Sequence, residues 1–203
     1  MTEAVSVASA NPSPVSNQNN GTSHMPGEGS MWFFIVGDLL IFGVYFVVYM
    51  YYRGQEQELF LQGQQQLNQG IGVINTVILL TSSLFVALST EAARGNRNSQ
   101  AFRLMGIAIF LGLLFPCLKV VEWLPKIEAG FTPGENLFYM FYYLMAGLHL
   151  CHVLLGLVIL MFVMREFRPH HQPNVTFVET GATYWHMVDL LWLVLFALLY
   201  LMR

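Results

Sequence analysis

The chain has 203 residues, of which 55% are hydrophobic and only 10% are charged, with a net charge of −3. A soluble domain usually carries about a quarter charged residues, so this composition argues against one. The negative net charge also gives no indication of the basic face that nucleic-acid binding requires. The charges lie mostly between apolar runs of about twenty residues, roughly the length of helix that crosses a bilayer. The sequence therefore predicts an all-α polytopic membrane protein.

The first thirty residues differ from the remainder. They are rich in Ser, Asn, Pro and Gly and contain no Lys or Arg. Because such a composition cannot bury enough apolar surface to fold, residues 1–30 are predicted to be a disordered tail. The segment has no basic region ahead of a short apolar core, so it is not a secretory signal. The membrane domain is expected to occupy residues 31–203.

Five apolar stretches follow and predict a bundle of five transmembrane helices. Trp32 is a predicted interfacial anchor of the first helix, and Pro116 should kink the third. The polar, glutamine-rich stretch between the first two is predicted to be a loop. The five predicted spans cover about residues 31–52, 71–90, 102–124, 137–164 and 183–201.

Small side chains inside the spans have structural interpretations. The Thr81-Ser82-Ser83 step in the second span can hydrogen-bond its own helix or a neighbour. Cys117 and Cys151 are isolated within apolar runs, which does not resemble a disulfide framework. They are interpreted as small packing residues.

The basic residues near the span ends predict the orientation. Five lie on the side of the N-terminus and three on the opposite side, which favours a cytoplasmic N-terminus and a periplasmic C-terminus in a bacterial inner membrane. The two groups are Arg94, Arg97, Arg103, Arg165 and Arg168 against Arg53, Lys126 and Arg203.

Several ionisable residues fall inside the spans, where each costs about 2.5–3.5 kcal/mol at mid-helix. Six of them form i, i+3 pairs, which place both members on one helix face. Such patches are expected to point into the bundle, where acids meet bases and hydroxyls. The residues are Asp38, Lys119, Glu122, His149, His152, His186 and Asp189.

The three histidines admit different interpretations. Imidazole ligates metals and haem, although a redox metal centre needs at least three or four ligands in one shell. Alternatively, His149, His152 and His186 are hydrogen-bonded interior residues that fix how the helices dock. A proton relay is a third interpretation, because chains of Asp, Glu and His mark such paths in membranes.

The acidic residues Glu122 and Asp38 have different surroundings. Lys119 and Glu122 lie shortly before Pro125, so an interfacial position with a snorkelling lysine is expected rather than a buried ion pair. Asp38 has no basic neighbour in its own apolar helix. It is the best candidate for a reactive or proton-accepting group, or else a carboxyl that bonds an adjacent helix for packing.

One motif identifies a family. The stretch Tyr184-Trp-His-Met-Val-Asp-Leu-Leu-Trp192 resembles the last-helix signature Tyr-Trp-His-Phe-Val-Asp-x-x-Trp of subunit III of the haem–copper respiratory oxidases. Three further segments agree with the family in order over residues 31–203. They are Gly37-Asp38 to Phe42, which is similar to Ser-Glu-x-x-Phe-Phe, Glu122-Trp123 with Phe131-Thr132, and His149-Leu-Cys-His-Val-Leu-Leu-Gly156, which is similar to His-Gly-Leu-His-Val-x-x-Gly.

The resemblance implies an accessory subunit without an active site or a redox cofactor of its own. Haem and copper or iron would belong to the partner catalytic subunit, whose proton uptake this chain would support. Asp38, Glu122, His149, His152, His186 and Asp189 would then be interhelical or lipid-cleft residues that contact membrane lipid, including a bound phospholipid. None of them would be catalytic or bind metal.

Two departures and one subfamily question accompany the resemblance. The family's membrane glutamate is here the shorter Asp38, and Leu150 replaces the glycine after the first histidine of its motif. The compact length and the segment from Pro26 also resemble a branch associated with nitric oxide reductase in denitrifying bacteria. The partner is therefore expected to be an oxidase or a nitric oxide reductase. The alternatives are a small proton or ion transporter and a membrane metalloenzyme.

Overall fold

A computed structural model describes residues 29–167 and 173–202. The predicted tail therefore lies almost entirely outside the described residues, as does Arg168. Five of the helices are long and apolar enough to cross a membrane, which confirms the predicted all-α bundle. The elements are α1 Gly29–Gln55, α2 Gln57–Gln65, α3 Gln69–Arg94, α4 Asn98–Glu128, α5 Leu137–Glu166 and α6 Val175–Phe196, followed by a π-helical turn, Ala197–Leu201.

Asparagine caps set three of the helix starts. The Asn68 side chain accepts a hydrogen bond from the backbone N–H of Gly70 at 2.9 Å, and α3 begins at Gln69. Asn136 and Asn174 cap α5 and α6 in the same way, at 3.0 and 3.3 Å. A side-chain acceptor at this position satisfies an amide that has no partner within the helix.

The helices differ in how much of their surface is buried. α6 lies at the centre, in contact with α1, α3 and α5, and α3 also packs along α4. In its most apolar window 61% of α6 is buried, against 11% of α1. The first helix is therefore peripheral, whereas α3 to α6 form the closely packed part of the bundle.

Glycines let α6 approach its neighbours closely. A Cβ at Gly112 of α4 would lie 2.8 Å from Leu157 and 2.9 Å from Trp185. A Cβ at Gly156 of α5 would also lie 2.9 Å from Trp185. Trp185 is fully buried and is seated against these two backbones. Small residues at helix contacts are the usual way in which membrane helices pack.

The glutamine-rich stretch is not the predicted loop but contains the short helix α2. Its Gln64 is buried and donates to the Leu198 carbonyl oxygen at 2.9 Å. Gln69 donates to the Tyr200 carbonyl at 2.7 Å, and Tyr49 of α1 donates to the Leu198 carbonyl at 3.3 Å. The last carbonyls of a helix have no partner within it. The glutamines therefore cap the end of the fifth span.

Helix α1 also reaches this end of the fifth span. Arg53 donates from its guanidinium to the Met202 carbonyl oxygen at 2.8 Å. Together with Tyr49, it ties the far end of the first membrane helix to the end of the last one.

The prolines of α4 and the two cysteines can be compared with what the sequence predicted for them. The helix α4 continues through Pro116 and Pro125 to Glu128, and the kink expected at Pro116 stays a prediction. Cys117 and Cys151 are free thiols, as expected, but both lie on exposed helix faces, so they do not pack in the core of this chain.

The Thr81-Ser82-Ser83 step hydrogen-bonds as expected. Thr81 bonds its own helix through the Val77 carbonyl at 2.7 Å, and Ser82 bonds the Ala108 carbonyl of α4 at 2.8 Å. Ser83 bonds a ring nitrogen of His186 on α6.

Candidate functional site in the membrane interior

Glu122 is the centre of a buried charge cluster between α4, α5 and the π-helical turn. Its two carboxylate oxygens accept from Lys119 at 2.8 Å and from Lys126 at 2.9 Å. The hydroxyls of Tyr200 and Tyr142 donate to the same carboxylate at 2.7 and 3.1 Å. Four donors thus surround one carboxylate, which is the condition under which a buried charge is tolerated.

Lys119 is enclosed rather than directed to the membrane surface. Only 1% of its side chain is exposed, against 2% for Glu122. Its ammonium group lies 4.7 Å from the ring centroid of Trp192 and 2.9 Å from the Tyr200 hydroxyl. The expectation of a snorkelling lysine is wrong, because Lys119 and Glu122 form a buried ion pair, whereas their depth in the membrane stays a prediction.

His149 lies in an aromatic enclosure. Its ring is stacked on Trp192 with centroids 5.3 Å apart and meets the edge of Phe115 at 5.6 Å. The residue is fully buried, and neither ring nitrogen has a hydrogen-bond partner among the described residues. This histidine therefore fills space in the core, and the predicted hydrogen-bonded role is not seen.

Asp38 has a partner on a neighbouring helix. One carboxylate oxygen lies 3.4 Å from the His152 Nε2, which links α1 to α5. His152 Nδ1 lies 2.7 Å from the Leu148 carbonyl of its own helix. A carbonyl can only accept, so Nδ1 carries a hydrogen and Nε2 faces the carboxylate. The pair is partly exposed, at 27% for Asp38 and 21% for His152.

His186 and Asp189 point in different directions. Asp189 is buried at 5% exposure, whereas His186 is exposed and is held by the Ser83 hydroxyl of α3. Neither carboxylate oxygen of Asp189 has a hydrogen-bond partner among the described residues. The expectation that all the polar patches face inward is thus wrong for His186, and only partly met by Asp38 and His152.

The six predicted site residues therefore do not form one site. Glu122 is in the charge cluster, and His149 is in the aromatic core. Asp38 pairs with His152, His186 bonds Ser83, and Asp189 is buried apart from them. Within residues 29–167 and 173–202, no three His, Cys, Asp or Glu side chains come together as a candidate metal shell.

Several contributors were missed from the sequence. Tyr142 and Tyr200 complete the Glu122 cluster, yet in sequence they resemble interfacial aromatics. Arg94 and Glu179 form an ion pair at 2.8 Å between α3 and α6. Because the two residues are 85 positions apart, the sequence does not indicate that they pair. Glu179 could have been noticed, however, because it lies two turns before His186 on the same face of the helix.

Comparison with known proteins supplies the family. The model of the family described as cytochrome c oxidase subunit III matches residues 19–203. This chain belongs to the cytochrome c oxidase subunit III family. Its function is accordingly that of an accessory subunit of a haem–copper oxidase, and the transporter alternative is not favoured.

Named relatives agree with this assignment. "Cytochrome c oxidase subunit 3" of Synechocystis sp. is 32% identical over 172 residues, which cover 83% of this chain and 72% of the relative. The protein of the same name from Thermostichus vulcanus is 32% identical over 83% of this chain and 84% of its own length. That of Spodoptera frugiperda is 34% identical over 64% of this chain and 88% of the relative. The subunit III resemblance of the last-helix motif is thus confirmed.

Proposed function

We propose that this subunit III protein packs beside the haem-containing catalytic subunit of an oxidase, stabilises it and supports its proton uptake. The observation that carries the proposal is the family match over residues 19–203. The Glu122 cluster supports it further, because a carboxylate enclosed by two lysines and two tyrosines is suited to holding helices together. Haem and copper or iron are proposed to lie in the partner, with no redox group in this chain.

We propose that the role in proton uptake involves Asp38 and His152. With a hydrogen fixed on Nδ1 of His152, one further proton between Nε2 and the Asp38 carboxylate satisfies both groups. Without that proton, a nitrogen lone pair would face a carboxylate at 3.4 Å. We therefore propose that the pair holds one exchangeable proton, and that Glu122, His149 and Asp189 are structural. A phospholipid against the partly exposed pair is part of the same proposal.

The proposed location is a bacterial inner membrane with the start of α1 on the cytoplasmic side. The support is the excess of basic residues at that side, where Arg94, Arg97, Arg103 and Arg165 lie near helix ends. A cysteine introduced at Asn96, between α3 and α4, should react with a membrane-impermeant maleimide only after the cells are opened.

Of the two proposed partners, the relatives named above favour an oxygen reductase. A nitric oxide reductase is supported only by the compact length and the segment from Pro26. The metal content of the complex distinguishes the two partners. Copper accompanies haem in the active site of an oxygen reductase, whereas non-haem iron accompanies it in a nitric oxide reductase.

The test of the proposal is co-purification from the native membrane. An affinity-tagged chain, extracted in mild detergent, should bring down a haem-containing subunit in a fixed ratio, visible in the absorption spectrum. A stable, haem-free complex with an unrelated transporter would refute the proposed function. Proton flux in liposomes that hold only the purified chain, lost in Asp38→Asn, would support a transporter instead.

A further inference from the structure

His186 is an exposed ionisable residue near the middle of a membrane-spanning helix. It is the twelfth residue of the 27-residue span Val175–Leu201, which places it about 16 Å from the start of the helix. Ionisable residues at such depths normally face protein or a water-filled cavity, because lipid chains offer them no hydrogen bonds. The side of α6 on which His186 is exposed is therefore expected to face protein or water and not lipid chains.

A groove runs from His186 to the end of the bundle where α3 finishes. It encloses about 430 Å³ between α3 and α6. The residues follow helical spacing, so each helix contributes one continuous face. The lining consists of Ala87, Thr90, Glu91 and Arg94 from α3, and Glu179, Ala182, Thr183 and His186 from α6.

The polar groups near the His186 end of the groove have unused hydrogen-bonding capacity. His186 uses one ring nitrogen for Ser83, and its Nε2 has no bond to the part of the chain that is described. Three residues further along α6, outside the lining of the groove, both oxygens of Asp189 are buried without a hydrogen-bond partner among the same residues. Asp38 and His152 differ from His186 and Asp189, because Asp38 of α1 and His152 of α5 are each other's partner.

The rest of the groove is suited to close packing. The Thr90 and Thr183 hydroxyls donate to carbonyls of their own helices at 3.0 and 2.8 Å, so they need no further acceptor. Ala87 and Ala182 leave room for another backbone. Small residues with satisfied hydroxyls are characteristic of helix–helix contacts in membranes. The exposed face of α1, by contrast, carries large apolar side chains such as Phe33 and Val47.

The open end of the groove carries charge. Arg94 is paired with Glu179 but keeps 57% of its side chain exposed, and Glu91 beside it is also exposed. A helix in the groove would therefore meet apolar and hydroxyl surface for two turns, with an arginine near its end. A lipid chain could fill the volume but could not bond His186.

We propose that this groove seats a transmembrane helix of the partner catalytic subunit, which presents a hydrogen-bonding side chain to Nε2 of His186. The inference rests on the proposed function, because it names the surface through which the accessory subunit meets its partner. It assigns the α3–α6 face to protein and leaves the outer face of α1 to lipid.

Site-specific photo-cross-linking in the intact complex tests the inference. A benzophenone amino acid at Ala87, which is exposed and lines the groove, should give an adduct with the haem-containing subunit. The same probe at Leu88, which is 40% exposed but is not part of the lining, should give none. An adduct at Ala87 only with lipid, only with a second copy of this chain, or with nothing would overturn the inference.

A second measurement uses substitutions that leave the fold intact. His186→Leu should reduce the haem recovered per tagged subunit by roughly threefold to tenfold, since one intramembrane hydrogen bond is lost. His186→Gln, which can still bond, should recover most of it, and Phe177→Ala, at an exposed position on the opposite face of the same helix, should change nothing. Equal recovery for all three would also refute the docking role.

The two proposals fail in distinguishable ways. If the unaltered chain recovers no haem-containing subunit, the proposed function itself is wrong. If the unaltered chain recovers that subunit but the Ala87 probe and His186→Leu have no effect, only the assignment of this groove is wrong.

Discussion

The Glu122 cluster and the groove beside His186 are both polar regions of the same membrane bundle, and they differ in completeness. Around Glu122, two lysines and two tyrosines satisfy one carboxylate from within the chain. Around His186, Ser83 supplies the only hydrogen bond from the residues that the structure describes, and the nearby carboxyl of Asp189 has no partner among them. A closed polar cluster can stabilise the fold by itself, whereas an open one needs a partner. Substitutions in the two regions should therefore affect different measurements.

The largest effect is expected at the centre of the closed cluster. Glu122→Gln keeps the shape of the side chain but leaves Lys119 and Lys126 without a counter-charge. Removing one partner from a buried ion pair costs about 3–5 kcal/mol. Unfolding of the purified subunit in detergent micelles should show this loss, and Glu128→Gln, at an exposed position of the same helix, should not.

A rescue variant sharpens this prediction. Adding Lys119→Met to Glu122→Gln removes one of the two unpaired charges and should recover part of the stability. If Glu122→Gln and Glu128→Gln unfold alike, the cluster does not hold the bundle together, and the contrast with the groove fails.

The next effect concerns the close packing on which the interior depends. Gly112→Ala would place a methyl group 2.8 Å from Leu157 and 2.9 Å from Trp185. Overpacking of this kind costs about 1–3 kcal/mol. Gly106→Ala on the same helix is the matched control, because a Cβ there meets nothing within 4 Å. Thermal unfolding of the two variants side by side should separate them, and equal midpoints would contradict the packing of Trp185.

A smaller loss is expected where the interior closes at the end of the fifth span. Gln64→Ala removes the donor to the Leu198 carbonyl at 2.9 Å and leaves that carbonyl only the 3.3 Å bond from Tyr49. The loss of one such hydrogen bond costs about 0.5–1.5 kcal/mol. Gln65→Ala, one residue further along at an exposed position, should leave stability unchanged. Chemical unfolding in micelles compares them, and a larger loss in Gln65→Ala would show that α2 does not act as a cap.

The smallest effect is expected at the partly exposed pair. Asp38→Asn should change the unfolding free energy by at most about 1 kcal/mol, as partly exposed ion pairs contribute little. In the assembled complex the same variant should slow proton uptake, because an amide cannot hold the exchangeable proton, and Asp38→Glu should restore it. A stability loss as large as that of Glu122→Gln would instead place Asp38 among the structural residues.

The sequence contained enough to predict the membrane bundle and its family. Five apolar runs separated by polar segments specify five spans because the bilayer fixes the length of a spanning helix. The last-helix motif from Tyr184 to Trp192 then identified the family, which the match over residues 19–203 confirms.

The direction of the polar residues could not be predicted in the same way. In a membrane helix both the lipid-facing and the interior faces are apolar, so periodicity carries little information on orientation. His186 and Asp189 share a face by spacing, yet one is exposed and the other buried. Their placement depends on how α3 and α6 meet.

The other missed features depend on contacts between distant parts of the chain. Pro125 suggested a helix end, but α4 continues to Glu128, and the Lys119–Glu122 pair is consequently buried. Gln64 of α2 and Gln69 of α3 bond carbonyls that are more than 130 residues away. Local propensity contains neither signal, since both arise only when the bundle is assembled.

The bonds from Tyr49 and Arg53 to the end of the fifth span have a consequence for biosynthesis. Chains are made from the N-terminus onward, so α1 enters the membrane while the carbonyls of Leu198 and Met202 do not yet exist. Much of its anchoring must wait until the final helix is inserted. Ribosome-bound chains halted after α5 should therefore keep α1 within reach of the insertion machinery, and those extended through Met202 should release it.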